Sequence, residues 1–165
     1  MELVLRKLGE YSLDFFGNYL LMSAMVSWLL AQIIKIFTGV YRDRHVNLLV
    51  LLASTGGMPS SHSASVVALL TASIIQYGLK SPYVAICGVF AAIVIIDASG
   101  VRYETGKQSK MLNKIVQELF KDTENAEVHF KEFIGHTPFQ VFIGVLLGIT
   151  VAIVMSFVFK QSIWS

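Results

Sequence analysis

The fold is decided by the segment Phe139–Phe159, which reads FQVFIGVLLGITVAIVMSFVF and carries no formal charge. A helix of this length crosses the roughly 30 Å hydrocarbon core of a bilayer. Three further stretches, about 16–37, 63–79 and 82–98, are also mostly apolar. We therefore predict an all-α integral membrane bundle of about four transmembrane helices, accompanied by interfacial or amphipathic helices.

The composition of the whole chain agrees with a lipid environment. Of 165 residues, 55% are hydrophobic and only 15% are charged, whereas soluble domains average about 25% charged residues. The length suits a single membrane-embedded domain over 1–165. The net charge of +2 is too small to indicate nucleic acid as a partner. Cys87 is the one cysteine, so a disulfide within the chain is excluded.

The segments between the apolar stretches receive separate predictions. Residues 1–15 are predicted to form an interfacial amphipathic segment, and His45–Ala53 is apolar but too short to span. The polar region 102–136 contains apolar residues at helical spacing from Met111 to Phe120, with lysines on the other side. This spacing predicts an amphipathic helix that lies on the membrane or caps the bundle. Asp122–Ala126 is predicted to be a turn.

The order of the four stretches places the polar residues at one side of the membrane. The first and third stretches end at the side where the second and fourth begin. The residues that this topology gathers are Lys35, Arg42, Ser60, His62, Asp97, Arg102 and His136. This side holds nine of the thirteen Lys and Arg residues, which indicates the cytoplasm. We expect a bacterial cytoplasmic membrane, with the site at the cytoplasmic face.

The segment Gly56–Ser63, GGMPSSHS, has the features of an anion-binding helix start. Glycines allow close backbone approach, and a helix N-terminus offers free N–H groups to an anion. His62 could then donate a proton to a leaving oxygen. The alternative is a capped helix start that carries an interfacial histidine.

Cations and an acid lie near the ends of two spans. Lys35 and Arg42 could clamp a phosphate, although such residues commonly reach for lipid headgroups. Asp97 directly follows an apolar run, a costly position that indicates function, with an Asp97–Arg102 ion pair as the structural alternative.

The fourth span opens with Gly135-His136-Thr137-Pro138. His136 could serve as a nucleophile or base, or it could be a simple interfacial histidine. Gly144 and Gly148 are four residues apart, which predicts close packing against another helix. Two histidines, several cations and paired serines at one depth suit phosphoryl transfer through a phosphohistidine.

Several strings in the chain resemble the three signature motifs of the type 2 phosphatidic acid phosphatase superfamily. They are Lys35-x6-Arg42, Pro59-Ser60-Ser61-His62, Arg102, and His136-x3-Gln140-Val141-x2-Gly144. The strings GGMPSSH, DASGVR and GHTP more closely resemble the divergent branch labelled acid phosphatase/vanadium-dependent haloperoxidase-related. The resemblance covers about 20–148.

This resemblance implies a role for each matching residue and a reaction that uses neither metal nor cofactor. His136 would be the nucleophile and His62 the general acid. The phosphate-binding residues would be Lys35, Arg42, Ser60, Ser61 and Arg102. Gln140 stands where an acid normally orients the nucleophilic histidine, so Asp97 or Glu132 would take that role.

The leading hypothesis is therefore a phosphoric monoester hydrolase that acts on phosphatidylglycerophosphate, phosphatidate or a prenyl (pyro)phosphate. A non-catalytic binder of lipid phosphates is the alternative, motivated by Gln140. A channel or transporter is disfavoured because charges are confined to one end of short spans. The expected partners are the lipid phosphate and membrane lipids without nucleic acid, and a homo-oligomer is left open.

Overall fold

The computed structural model describes residues 13–42, 58–119 and 137–160, together with Met1, Lys7 and Tyr11. The side chains of residues 39–42, 102, 103, 117 and 119 lie outside this description. The described part is helical apart from short turns and contains no strand. The predicted all-α fold is confirmed. The predicted segment His45–Ala53, the turn Asp122–Ala126 and most of 1–15 lie outside the described residues.

Five α-helices account for most of the described chain, and four of them coincide with the predicted apolar stretches. They are α1 (Tyr19–Arg42), α2 (Ser61–Tyr77), α3 (Pro82–Ile96), α4 (Arg102–Leu119) and α5 (Pro138–Val158). Ser60, Ser81 and Thr137 cap α2, α3 and α5, because each side-chain oxygen accepts a backbone N–H of the first turn.

Three helices of the described chain are long and apolar enough to cross a membrane: Tyr19–Thr38, Pro82–Val116 and Pro138–Val158. The remaining predicted span, the second along the chain, is the helix α2, which has 17 residues. A helix of that length extends about 25 Å, somewhat less than the hydrocarbon core. The protein is an integral membrane protein in which α2 packs against α1, α3 and α5.

The predicted amphipathic helix begins at Arg102, whereas its apolar spacing begins at Met111. A single π-helical turn, Asp97–Val101, joins α3 to α4 without a loop. The Ser99 hydroxyl donates to the Ile95 carbonyl at 2.7 Å, and the Thr105 hydroxyl donates to the Val101 carbonyl at 2.8 Å. Each hydroxyl thus bonds back to the carbonyl four residues earlier, a pattern that is common where a helix bends.

The bundle buries mostly small side chains and exposes large apolar ones, whereas a soluble protein buries its large apolar side chains. The helix α2 contacts α1, α3 and α5, and α1 also contacts α5. The fully buried side chains are mostly small, including Ala31, Ala64, Ala68, Ala72, Ala152, Ser23, Ser27, Ser63 and Ser156. Large side chains face outward, including Trp28, Phe37, Phe90, Ile93, Phe142 and Phe157. Small residues allow close helix approach, and the outer face suits lipid.

The two glycines of α5 allow a close contact with α2, as predicted. A Cβ atom on Gly144 would lie 2.6 Å from the Ser60 carbonyl oxygen, and one on Gly148 would lie 2.5 Å from the Ala64 carbonyl oxygen. Any side chain at these positions would push α5 away from α2.

The helix directions bring four polar segments to one end of the bundle. The helices α1 and α3 end where α2 and α5 begin. We call this the site end and define it by Lys35, Ser60, Asp97 and Thr137. At the opposite end, the rings of Tyr77 and Tyr83 lie 4.9 Å apart across the α2–α3 turn.

Candidate functional site

Lys35 is a cation enclosed within the bundle. Its residue is only 2% exposed, and its Nζ donates a hydrogen bond to the Ser61 Oγ at 3.2 Å. An ammonium group loses most of its hydration in such a place, so its charge must be compensated by polar or anionic groups. The predicted convergence of Lys35 with the start of α2 is thereby seen directly in the side-chain contact.

The start of α2 is held firmly against α1 and α5. The Thr38 hydroxyl donates to the Met58 carbonyl at 3.2 Å, which ties α1 to the segment that leads into α2. The Ser60 Oγ accepts the Ser63 backbone N–H at 3.4 Å and the Ser63 hydroxyl at 3.0 Å. Ser60 is therefore the N-cap of α2, and its hydroxyl already has partners within the helix start.

His62 differs from its neighbours because its side chain is exposed. Ser61 and Ser63 on either side of it are buried. Consecutive residues of a helix point about 100° apart, so Ser61 can face α1 while His62 faces outward. The imidazole is placed where it can contact a molecule that approaches from outside the bundle.

The register in which α3 packs against α2 places Asp97 at the site end. The Ser73 Oγ is 3.5 Å from the Cys87 Sγ, and Ala91 packs with Val66. Continuing this antiparallel register places Asp97 beside the start of α2. Its residue is partly exposed, and its backbone begins the π-helical turn.

The start of α5 is built by a reciprocal pair of hydrogen bonds. The Gln140 Oε1 accepts the Thr137 N–H at 3.0 Å, and the Thr137 Oγ1 accepts the Gln140 N–H at 3.4 Å. This is a capping box. The Ser60 N–H donates to the Gln140 carbonyl at 3.1 Å, so α5 and α2 are joined directly at their starts.

Several predicted residues are placed only by their backbone or not at all. Arg42 is the last residue of α1 and Arg102 the first residue of α4, while their side chains lie outside the description. His136, Glu132 and the glycines Gly56 and Gly57 lie outside the described residues. Of the predicted site residues, Lys35, Ser60, Ser61, His62 and Asp97 are the ones described with side chains.

The capping role of Thr137 and Gln140 was missed by the motif-based interpretation, which treated Gln140 as a replaced acid. The sequence does contain the signal, because Thr-x-x-Gln before an apolar run is a capping-box pattern. Thr38 was also missed. A single threonine at the end of a span has no pattern that would identify its partner.

The geometry provides the parts needed to hold an oxyanion. A buried ammonium, a hydroxyl bonded to it and the first turn of a helix lie together at the site end, with an exposed imidazole on the same turn. Helix starts and cations both favour anions. In the described residues, Lys35 contributes the charge and Ser61 contributes the adjacent hydroxyl.

Comparison with known proteins identifies a matching family. The model of a family described as "Divergent PAP2 family" matches residues 16–151. The uncharacterized membrane protein YuiD of Bacillus subtilis (strain 168) is 35% identical over 158 residues, covering 89% of this chain and 99% of that protein. No solved structure matches. The family match covers all the described site residues.

Proposed function

The chain belongs to the Divergent PAP2 family, and from this premise we propose that it is a membrane phosphatase that hydrolyses a lipid phosphomonoester. Hydrolysis proceeds through a phosphohistidine at the site end of the bundle. The family relationship supports phosphatase-related chemistry. The specific reaction is argued below from the residues.

The observation that carries the proposal is the buried Lys35 ammonium, whose Nζ donates to the Ser61 hydroxyl 3.2 Å away. A neutral hydroxyl compensates a buried positive charge only weakly. A phosphate would supply both negative charge and acceptor oxygens, and charge-assisted hydrogen bonds are the strong ones. Lys35 is therefore well suited to bind a phosphoryl oxygen, and Ser61 to donate to a second one.

The catalytic steps follow from the two histidines. His136 attacks phosphorus, a P–N bond forms, and the bond between phosphorus and the lipid oxygen breaks. His62 transfers its proton to the leaving alkoxide. Water then cleaves the phosphohistidine and releases inorganic phosphate. Arg42 and Arg102 neutralise charge on the phosphoryl oxygens during both transfers, and Asp97 orients a histidine.

The membrane environment selects a lipid substrate. The outer face of the bundle carries large apolar side chains, so a lipid can keep its chains in the bilayer while its headgroup reaches the site end. Phosphatidylglycerophosphate, phosphatidate and prenyl (pyro)phosphates satisfy this requirement. We favour the first, because a site at the cytoplasmic face suits a lipid that is made there.

The test compares two lysine variants of the purified protein in detergent. Phosphate release from each candidate lipid is measured without added metal, and the inhibition constant of vanadate is determined. Lys35→Gln should raise that constant by about tenfold or more, because a charged hydrogen bond typically contributes roughly 1.5–3 kcal/mol. Lys80→Gln removes an exposed lysine at the opposite end and serves as the matched control.

Two outcomes would contradict the proposal. Equal vanadate constants in both variants would remove Lys35 from the phosphate site. Binding of lipid phosphates without any release of phosphate would instead support a non-catalytic lipid-phosphate-binding protein. Thermal unfolding of both variants establishes that Lys35→Gln retains the fold.

A further inference from the structure

The two helices that begin at the site end share a direct connection through one residue. The Gln140 carbonyl accepts the Ser60 N–H at 3.1 Å, while the Gln140 side chain accepts the Thr137 N–H at 3.0 Å. Ser60 is the N-cap of α2, and Thr137 is the N-cap of α5. Gln140 therefore contacts both caps, one through its main chain and the other through its side chain.

This connection lies in a region where the two helices approach each other closely. A Cβ atom on Gly144, one turn further along α5, would lie 2.6 Å from the Ser60 carbonyl oxygen. Both the N–H and the carbonyl of Ser60 are thus positioned against α5. A displacement of the start of α5 would therefore break contacts with the start of α2.

The capping box also restrains the residue that precedes it. The N–H that Gln140 accepts belongs to the peptide group joining residues 136 and 137. Because a peptide group is planar, fixing this N–H restrains the direction from which residue 136 enters the helix. The side chain of Gln140 can therefore influence residue 136 through the main chain.

We propose that Thr137 and Gln140 are positioning residues that lock the start of α5 onto the start of α2. The lock holds His136 in register with the phosphate-binding residues Lys35 and Ser61. Its effect on catalysis rests on the proposed function, whereas the lock itself does not. An acceptor oxygen is required at residue 140, and a negative charge is not.

The first measurement tests the connection between the starts of α2 and α5 without an activity assay. Hydrogen exchange of the Ser60 amide is followed in the intact protein in detergent, for wild type, Gln140→Leu and Ser81→Ala. Gln140→Leu should accelerate exchange at Ser60 by about fivefold, the factor that corresponds to loss of one helix cap. Ser81→Ala removes the cap of α3 at the opposite end, where the Ser81 Oγ accepts the Tyr83 N–H at 3.2 Å. This control should leave Ser60 unchanged.

The second measurement reads catalysis in the same variants. Gln140→Leu should lower kcat by about tenfold to a hundredfold, because small misplacements of reacting groups have effects of this size. The inhibition constant of inorganic phosphate should stay within about twofold of the wild-type value, the size of effect expected from one weak contact. Gln140→Glu should keep kcat near the wild-type value, because the carboxylate of the glutamate still accepts the Thr137 N–H. Thr137→Ala and Gln140→Leu should be non-additive in a double-mutant cycle, since both break the same box.

The outcomes separate the two proposals. Unchanged Ser60 exchange in Gln140→Leu would overturn the lock, as would a kcat equal to that of wild type. A kcat of Gln140→Glu as low as that of Gln140→Leu would show that the amide itself is needed. This result would also overturn the proposed lock. Altered exchange together with a wild-type protein that hydrolyses no lipid phosphate would refute the phosphatase proposal and leave the lock standing.

Discussion

Ser61, His62 and Ser63 are consecutive residues that face three different surroundings. Ser61 meets the Lys35 ammonium, Ser63 is buried 3.2 Å from the position of a Cβ on Gly144, and His62 is exposed. One turn of helix thus provides a hydroxyl that contacts Lys35, a packing surface and the residue that we propose as the general acid. The different surroundings follow from the 100° rotation per residue.

The exposed position of His62 leads to a prediction about leaving groups. His62→Ala should slow hydrolysis of an alkyl phosphate by about a hundredfold or more, because general acid catalysis typically contributes 10²–10⁴-fold. Hydrolysis of p-nitrophenyl phosphate should be slowed much less, since p-nitrophenolate leaves without a proton. Rates for the two substrates with wild type and His62→Ala provide the measurement. An equal loss with both would assign His62 to phosphate binding.

Residue-scale prediction from the sequence was partial, for a physical reason. Ser60, Ser61, His62 and Lys35 could be selected as candidates because their residue types suit an oxyanion, and their role in a site stays a prediction. The contact between Lys35 and Ser61 depends on how α1 and α2 pack, which neither local sequence contains. Gln140 was judged by comparison with an acid, so the capping-box pattern that it forms with Thr137 in the sequence was overlooked.

At the scale of elements, the glycines of α5 allow it to pack closely against α2. Gly148 allows this approach, because a Cβ there would lie 2.5 Å from the Ala64 carbonyl oxygen and 3.0 Å from the Ala68 backbone nitrogen. Backbone atoms cannot move aside as a flexible side chain does. The helices would have to separate.

Gly148→Ala should therefore destabilise the bundle by about 1–3 kcal/mol, the usual cost of overpacking. Gly88→Ala in α3 is the matched control, since its Cβ would meet Leu70 Cδ1 at an ordinary 3.9 Å. Thermal unfolding in detergent compares the two variants with wild type. Equal stability of both alanine variants would contradict the packing account.

The starts of the helices were predictable to within a few residues wherever an apolar run follows a capping residue. Pro82 and Pro138 mark the starts of α3 and α5, each preceded by a capping hydroxyl. The continuation from α3 into α4 was not predictable, because Ser99 and Gly100 are typical of a helix end. The hydroxyl of Ser99 instead bonds back to the Ile95 carbonyl.

At the scale of the whole molecule, small residues lie inside and large apolar residues lie outside. This distribution explains why hydrophobicity identified a membrane protein but did not identify the buried face of each helix. In α1, Tyr19, Ser23, Ser27 and Lys35 all lie inside. A soluble protein would place these residues on its surface.

The orientation of the bundle is a prediction that two exposed lysines can test. Lys114 on α4 and Lys80 in the α2–α3 turn are replaced by cysteine one at a time, with Cys87 changed to serine. If the lysine-rich side is cytoplasmic, an impermeant thiol reagent added to intact cells should label the variant Lys80→Cys and spare Lys114→Cys. The reverse pattern would place the site at the outer face.

The most direct test of the central claim is capture of the phosphoenzyme. Wild-type protein is mixed briefly with a lipid phosphate labelled in its phosphoryl group, quenched in alkali and examined for label on the protein. We predict label that is stable in alkali and lost in acid, as a phosphohistidine requires, and its absence from His136→Ala. Phosphate release without any labelled protein, or equal labelling of His136→Ala, would contradict the account.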